Sequence, residues 1–128
     1  MTKKIIFGAS SLVGYSLYKF IKNKKNFIFY SNKDKRFIKQ NLDKKISISQ
    51  NKNKFFDIIF LSSPHFIEKN FKYNIQKKEY IWLKKILNNF KINKLVYLSS
   101  PSIYYKKSSI GKVKKCCEDL IIKNKKKI

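Results

Sequence analysis

The chain has 128 residues, 31 of them Lys or Arg against 7 Asp or Glu, for a formal net charge of +24. That length fits one domain, and a hydrophobic share of 43% argues against a chain disordered throughout. No apolar run approaches the roughly 18 residues of a membrane-crossing helix, and the three apolar residues after Met1-Thr2-Lys3-Lys4 are too few for a secretory signal, so a soluble cytoplasmic protein is expected.

Lys4–Phe7 is a short apolar run that ends at Gly8 and reads as a buried strand. A helix is predicted over Leu12–Lys22, with Val13, Leu17, Phe20 and Ile21 at helical spacing and Ser10 or Ser11 as its cap. After the polar turn Asn23–Asn26, Phe27–Tyr30 is a second strand and Ser31–Asp34 a loop. Lys35–Leu42 is predicted as a short helix, and Ile46–Ser49, which alternates apolar and polar residues, as a third strand. Phe55–Leu61 reads as a buried fourth strand, broken by Ser62-Ser63-Pro64-His65.

The longest periodic segment runs from about Ile67 to Asn89, with Phe71, Ile75, Trp82, Leu83, Ile86, Leu87 and Phe90 on one helical face. Lys94–Leu98 is a fifth strand, ended by Ser99-Ser100-Pro101-Ser102. Gly111–Lys123 closes the series as a helix whose apolar positions include both cysteines, Cys116 and Cys117, so both are expected in the core. Lys123–Ile128 should fray. Adjacent cysteines and a single histidine, His65, do not assemble the about four ligands of a zinc site. Apolar strands alternating with helices predict a parallel sheet covered on both faces. With right-handed crossovers this is a doubly wound, Rossmann-like α/β fold of five strands in the order 3-2-1-4-5.

The charge does not make a nucleic-acid reader. Arg36 is the one arginine, and the rest of the basic residues are lysines. Recognition of phosphates and base edges favours the forked guanidinium. Lys here accompanies abundant Asn, Ile and Phe and a single Ala, Ala9, which is the mark of a biased coding composition. Binding to nucleic acid is expected to be non-specific and confined to low salt.

The stretch that carries chemistry is Gly8-Ala9-Ser10-Ser11-Leu12-Val13-Gly14, between the first strand and the first helix. A turn so placed brings backbone N–H groups and the positive end of a helix dipole to a diphosphate. Gly8 makes the tight turn, and Gly14 lets the helix pack closely on the sheet.

On these residues the chain resembles the N-terminal part of the extended short-chain dehydrogenase/reductase family, of the NAD-dependent epimerase/dehydratase type. Gly8, Ser11 and Gly14 fall on its G-x-x-G-x-x-G fingerprint, with Ser in place of the central Gly. Phe56–Ser63 is similar to the family's fourth strand, whose end (Leu61, Ser62, Ser63 here) lies beside the cofactor. Asn74 resembles the Asn of its long helix, Leu95–Tyr104 its fifth strand and serine motif, and Gly111–Glu118 the tail of its Y-G-K-S-K-x-x-x-E segment. The resemblance implies a dinucleotide cofactor and a nucleotide-sugar substrate. It puts Ser100 at the catalytic Ser/Thr and Lys114 at the catalytic Lys.

The departures are specific. The catalytic Tyr belongs four residues before the Lys, where this chain has Ile110, which cannot hold or release a proton. Tyr104 and Tyr105 are near in sequence, but Ser108 and Ser109 follow them at the lysine spacing. Family members continue past this helix into a C-terminal substrate domain, so a truncated domain with impaired catalysis is expected, completed by a second copy or a companion chain. The alternatives are an active small reductase using Ser100 and Lys114 with Tyr104 or Tyr105, and a basic nucleic-acid binder on the same scaffold.

NAD-selective members close the second strand with an acid that holds the ribose hydroxyls. Here that position is Ser31 or Asn32, followed by Lys33, Lys35 and Arg36, so NADP is favoured over NAD. Asp34, about 20 residues past the glycine turn, is the alternative ribose acid.

Overall fold

Every strand pairing in the sheet is parallel. The computed structural model describes residues 2–46, 54–64, 77–99 and 109–125. In chain order these form β1 (Lys3–Phe7), α1 (Leu12–Phe20), β2 (Phe27–Ser31), β3 (Ile38–Lys39), β4 (Phe55–Phe60), α2 (Lys78–Asn89), β5 (Lys91–Tyr97) and α3 (Ser109–Lys123). The sheet order is β3-β2-β1-β4-β5, the doubly wound arrangement expected from the pattern.

The side-chain period of two divides the core. Ile5 and Phe7 of β1, Tyr30 of β2, and Ile58 and Phe60 of β4 face α2 and α3, where they meet Leu83, Ile86, Val113 and Cys117. Ile6 and Phe29 face the other way and pack with Ala9, Phe37 and the α1 residues Tyr15 and Tyr18. Ile5, Ile6 and Phe7 are buried to within 1% of full enclosure. Each such side chain stabilises the fold by roughly 1.5–3 kcal/mol, which makes β1 the strand that holds both layers together. Its central position also sets the register, with Ile5 between Ile28 and Ile58.

The third strand is not where the alternation put it. Residues 35–42 do not form the expected helix; Ile38–Lys39 pairs with Tyr30 and Ser31 as a two-residue edge strand. Asp34 starts a tight turn, accepting from the Arg36 backbone N–H at 3.0 Å, and Phe37 is drawn into the α1 layer against Tyr18 and Phe29. Those contacts replace a helix with one short strand. Ile46 is buried outside any strand, and 47–49 lie outside the described residues.

Element ends shift by a few residues. The long helix is described from Lys78, residues 65–76 lying outside the described residues, and β5 begins at Lys91, three residues before the expected Lys94. The cysteines divide: Cys117 is fully buried, but Cys116 is exposed, so only one of the two belongs to the core. A helix turns successive residues by about 100°, and only the Cys117 side faces the sheet. The outer edge of β5 has no partner among the described residues, with Val96 and Leu98 about half exposed on this strand and its exit. Exposed Lys91 and Lys94 interrupt that edge with charge. No helix among the described residues is long and apolar enough to cross a membrane.

Candidate functional site

The strand exits at one end of the sheet gather three groups of residues. The first is the turn between β1 and α1. Gly8 has φ +87°, a conformation that L side chains rarely adopt. A Cβ there would also meet the Leu61 carbonyl carbon at 2.8 Å and the Ser62 nitrogen at 2.9 Å. The chain therefore leaves β1 pressed against the exit of β4. The N–H groups of Gly8 and Ala9 both donate to the Tyr30 carbonyl, at 3.2 and 3.0 Å.

Ser11 is the N-cap of α1. Its Oγ donates to the Gly8 carbonyl at 2.7 Å and accepts from the Gly14 N–H at 3.0 Å. The side chain at the central fingerprint position thus folds back into the turn. Leu12 and Val13 stand exposed on the first turn of α1, which carries no acid to offset the positive end of the helix. Gly14 is buried beneath the turn, and a Cβ on it would overlap the Gly8 carbonyl oxygen.

The second group ends β2. Ser31, 4% exposed, donates to Ser10 Oγ at 2.9 Å and accepts from the Asp34 N–H at 3.3 Å. Asp34 is engaged by Arg36, whose Nε and Nη2 reach its carboxylate at 3.0 and 2.5 Å. The side-chain and then the backbone hydrogen bonds from Arg36 lower the Asp34 carboxyl to about 2. The guanidinium also lies 4.3 Å from the Tyr15 ring centroid. Beyond Ser31 opens a cavity of about 730 Å³, lined by Asn32 and by Lys33, Lys35, Lys39, Lys44 and Lys45.

The third group lies at the exits of β4 and β5, where Leu61 and Ser62 are half-buried and Ser63 is exposed. Lys114, on α3, reaches this point with its Nζ 2.9 Å from Glu79 Oε1, 3.0 Å from the Leu98 carbonyl and 3.5 Å from Ser63 Oγ. Glu79, on the first turn of α2, is 2% exposed. It also accepts from Ser63 Oγ and, at 2.7 Å, from the Tyr97 hydroxyl. Burial, and then the Glu79 charge, hold the Tyr97 proton far above its ordinary range. Desolvation pushes the Cys117 thiol beside it up to about 12. Ser99 Oγ is buried with no hydrogen-bond partner among the described residues.

The structure therefore places Gly8–Gly14, Ser31 and Leu61–Ser63 at one end of the sheet, with Lys114 beside Ser63. Asn32, Lys33 and Arg36 lie just beyond β2. Ser100, Tyr104, Tyr105 and Asn74 lie outside the described residues. Ile110 is half-buried on α3, one turn before Lys114. Sequence reasoning missed Glu79. Its signal was the one acid within Lys78–Asn89, where the other charged residues are lysines.

Among solved structures, the chain is similar to the UDP-N-acetylglucosamine 4-epimerase from Bacillus cereus, with a TM-score of 0.73 at 17% identity. The match covers 99% of this chain and 50% of that one, so the chain spans half the length of the epimerase. At that identity the likeness is one of fold, a Rossmann-type parallel sheet. No family model matches the chain, and a search of curated proteins finds no match either.

Proposed function

We propose that the chain binds a dinucleotide, NADP in preference to NAD, across the strand exits of its sheet. The observation that carries this reading is the Gly8–Gly14 turn: a left-handed Gly8, a Ser11 cap folded out of the way and a Gly14 that tolerates no side chain. Together they leave backbone N–H groups and the uncompensated end of α1 facing the space in front of β1. A Rossmann-type neighbour of 0.73 TM-score supports the same reading at the level of fold.

In this reading the Gly8–Gly14 turn holds the diphosphate through the N–H groups of Ser10, Leu12 and Val13, since those of Gly8 and Ala9 are taken by Tyr30, that of Ser11 by Gly8 and that of Gly14 by the Ser11 hydroxyl. Ser31, Asn32 and Lys33 take the adenosine ribose, and Leu61, Ser62 and Ser63 line the passage towards the nicotinamide. The preference for NADP is supported at the end of β2. Ser31 is a small hydroxyl turned to Ser10, and the nearby acid, Asp34, is tied to Arg36. The lysines lining the adjoining cavity supply the positive charge that a 2′-phosphate takes up. When bound, the nicotinamide ring supplies hydride transfer.

The reading is of cofactor binding with impaired catalysis in this chain. Ile110 offers no proton, and the Tyr97 hydroxyl, whose ring centroid lies 5.1 Å from the Lys114 ammonium, is held as a donor to Glu79. The epimerase is named for a UDP-sugar, and a nucleotide sugar is the substrate class to test beside the cofactor. Titration of the purified chain with NADPH, followed by cofactor fluorescence, should saturate in the micromolar range, with NADH weaker. A signal that fails to saturate up to millimolar cofactor removes this function.

A further inference from the structure

Glu79 and Lys114 form a buried ion pair whose position has to be explained. The two side chains are 3% and 12% exposed. Taking both charges out of water is costly, and an apolar pair of similar volume is often as stable or more so. Stability alone therefore does not account for placing them here.

An ammonium has three donors, and all three of Lys114 are assigned. Two make short contacts, 2.9 Å to Glu79 Oε1 and 3.0 Å to the Leu98 carbonyl. The third reaches Ser63 Oγ only at 3.5 Å. Glu79 is itself held from several sides. Oε1 takes Ser63 and Lys114, and Oε2 takes the Tyr97 hydroxyl at 2.7 Å, with Cys117 Sγ at 3.9 Å. These contacts come from β5, α3 and the exit of β4, so the carboxylate has little freedom. Ser63, by contrast, is exposed at the sheet exit.

We infer that Glu79 is a positioning residue: it fixes the Lys114 ammonium at the exits of β4 and β5 and leaves its weakest donor, the one now on Ser63, for a ligand oxygen. The dinucleotide reading enters only in naming that ligand. A ligand oxygen replaces a long contact to a serine that is already satisfied by Glu79, so Lys114 is engaged without breaking either short bond.

The test uses acetylation of the full chain by a water-soluble ester, read lysine by lysine by mass spectrometry, with Lys112 as the exposed reference on the same helix. Glu79→Gln removes the counter-charge and leaves a buried ammonium that gives up its proton more readily, so Lys114 should acetylate roughly tenfold faster while Lys112 is unchanged. NADPH affinity of the same variant should fall about tenfold. An unchanged Lys114 rate overturns the proposal. A faster rate with unaltered NADPH affinity also overturns it, since the pair is then only scaffold. A faster rate in a chain whose wild type binds no NADPH leaves the hold of Glu79 on Lys114 standing and removes only the dinucleotide reading. If Glu79→Gln fails to fold, Glu79→Asp draws the carboxylate back from Lys114 by one methylene; Lys114 should then label about twofold to threefold faster, and an unchanged rate is equally decisive against the proposal.

Discussion

Gly14 lies directly beneath the Gly8 carbonyl. A Cβ at position 14 would overlap that oxygen and stand 2.9 Å from Ala9 Cα and 3.0 Å from Ser11 Oγ. The obstruction is backbone, which cannot rotate aside. Gly14→Ala should therefore lower stability by about 1–3 kcal/mol, as overpacking does, and weaken NADPH binding because the turn must move. Urea unfolding and cofactor titration of the same variant check both effects.

Ser11 stands where the fingerprint that the turn resembles has a glycine, yet its hydroxyl caps α1 and does not project into the space ahead of the turn. Ser11→Ala should cost ~1 kcal/mol in urea unfolding, and Ser11→Gly only a few tenths. NADPH affinity of Ser11→Gly should match the wild type within about twofold, since no ligand-facing group is removed. A large gain in affinity with glycine would mean that the hydroxyl does obstruct the cofactor.

The Asp34 carboxyl titrates near 2 because Arg36 grips it by side chain and backbone. A depressed folded pKa means a contribution present above the unfolded value of about 3.9 and lost as pH falls through the folded one. The Asp34–Arg36 pair should accordingly stop contributing between about pH 4 and pH 2. It is exposed, so the contribution is small and screened by salt. Carboxyl NMR should place the midpoint near 2 and return it towards the ordinary range in Arg36→Met.

The two adjacent cysteines should behave as chemically different groups. Cys116 is exposed, whereas Cys117 is fully enclosed with its thiol at about 12. At pH 8 iodoacetamide should modify Cys116 and spare Cys117 until the chain is unfolded. Peptide mapping of the native and denatured protein gives the answer. Rapid native alkylation of Cys117 would contradict its packing against Leu83 and Val113.

Local chemistry made much of this molecule legible in advance. Apolar runs ending in Gly8 and at Leu61, and helical spacing after each, were enough to predict the strand order, because a buried parallel sheet admits few right-handed connections. The turn was legible for the same reason: Gly8, Ser11 and Gly14 act through backbone geometry and capping within seven consecutive residues. Residues 35–42 were misread as a short helix. Phe37 instead packs on Tyr18 and Phe29, which come from elsewhere in the chain.

Glu79 was hidden by the same limitation on a larger scale. Its partners Ser63, Tyr97 and Lys114 lie 16, 18 and 35 residues away along the chain. The spacing of apolar side chains dictates where strands and helices form, since burial and hydrogen bonding are settled within each segment. Which charges then face one another in the low-dielectric space where β4, β5, α2 and α3 converge depends on how those segments dock, and no local pattern encodes it.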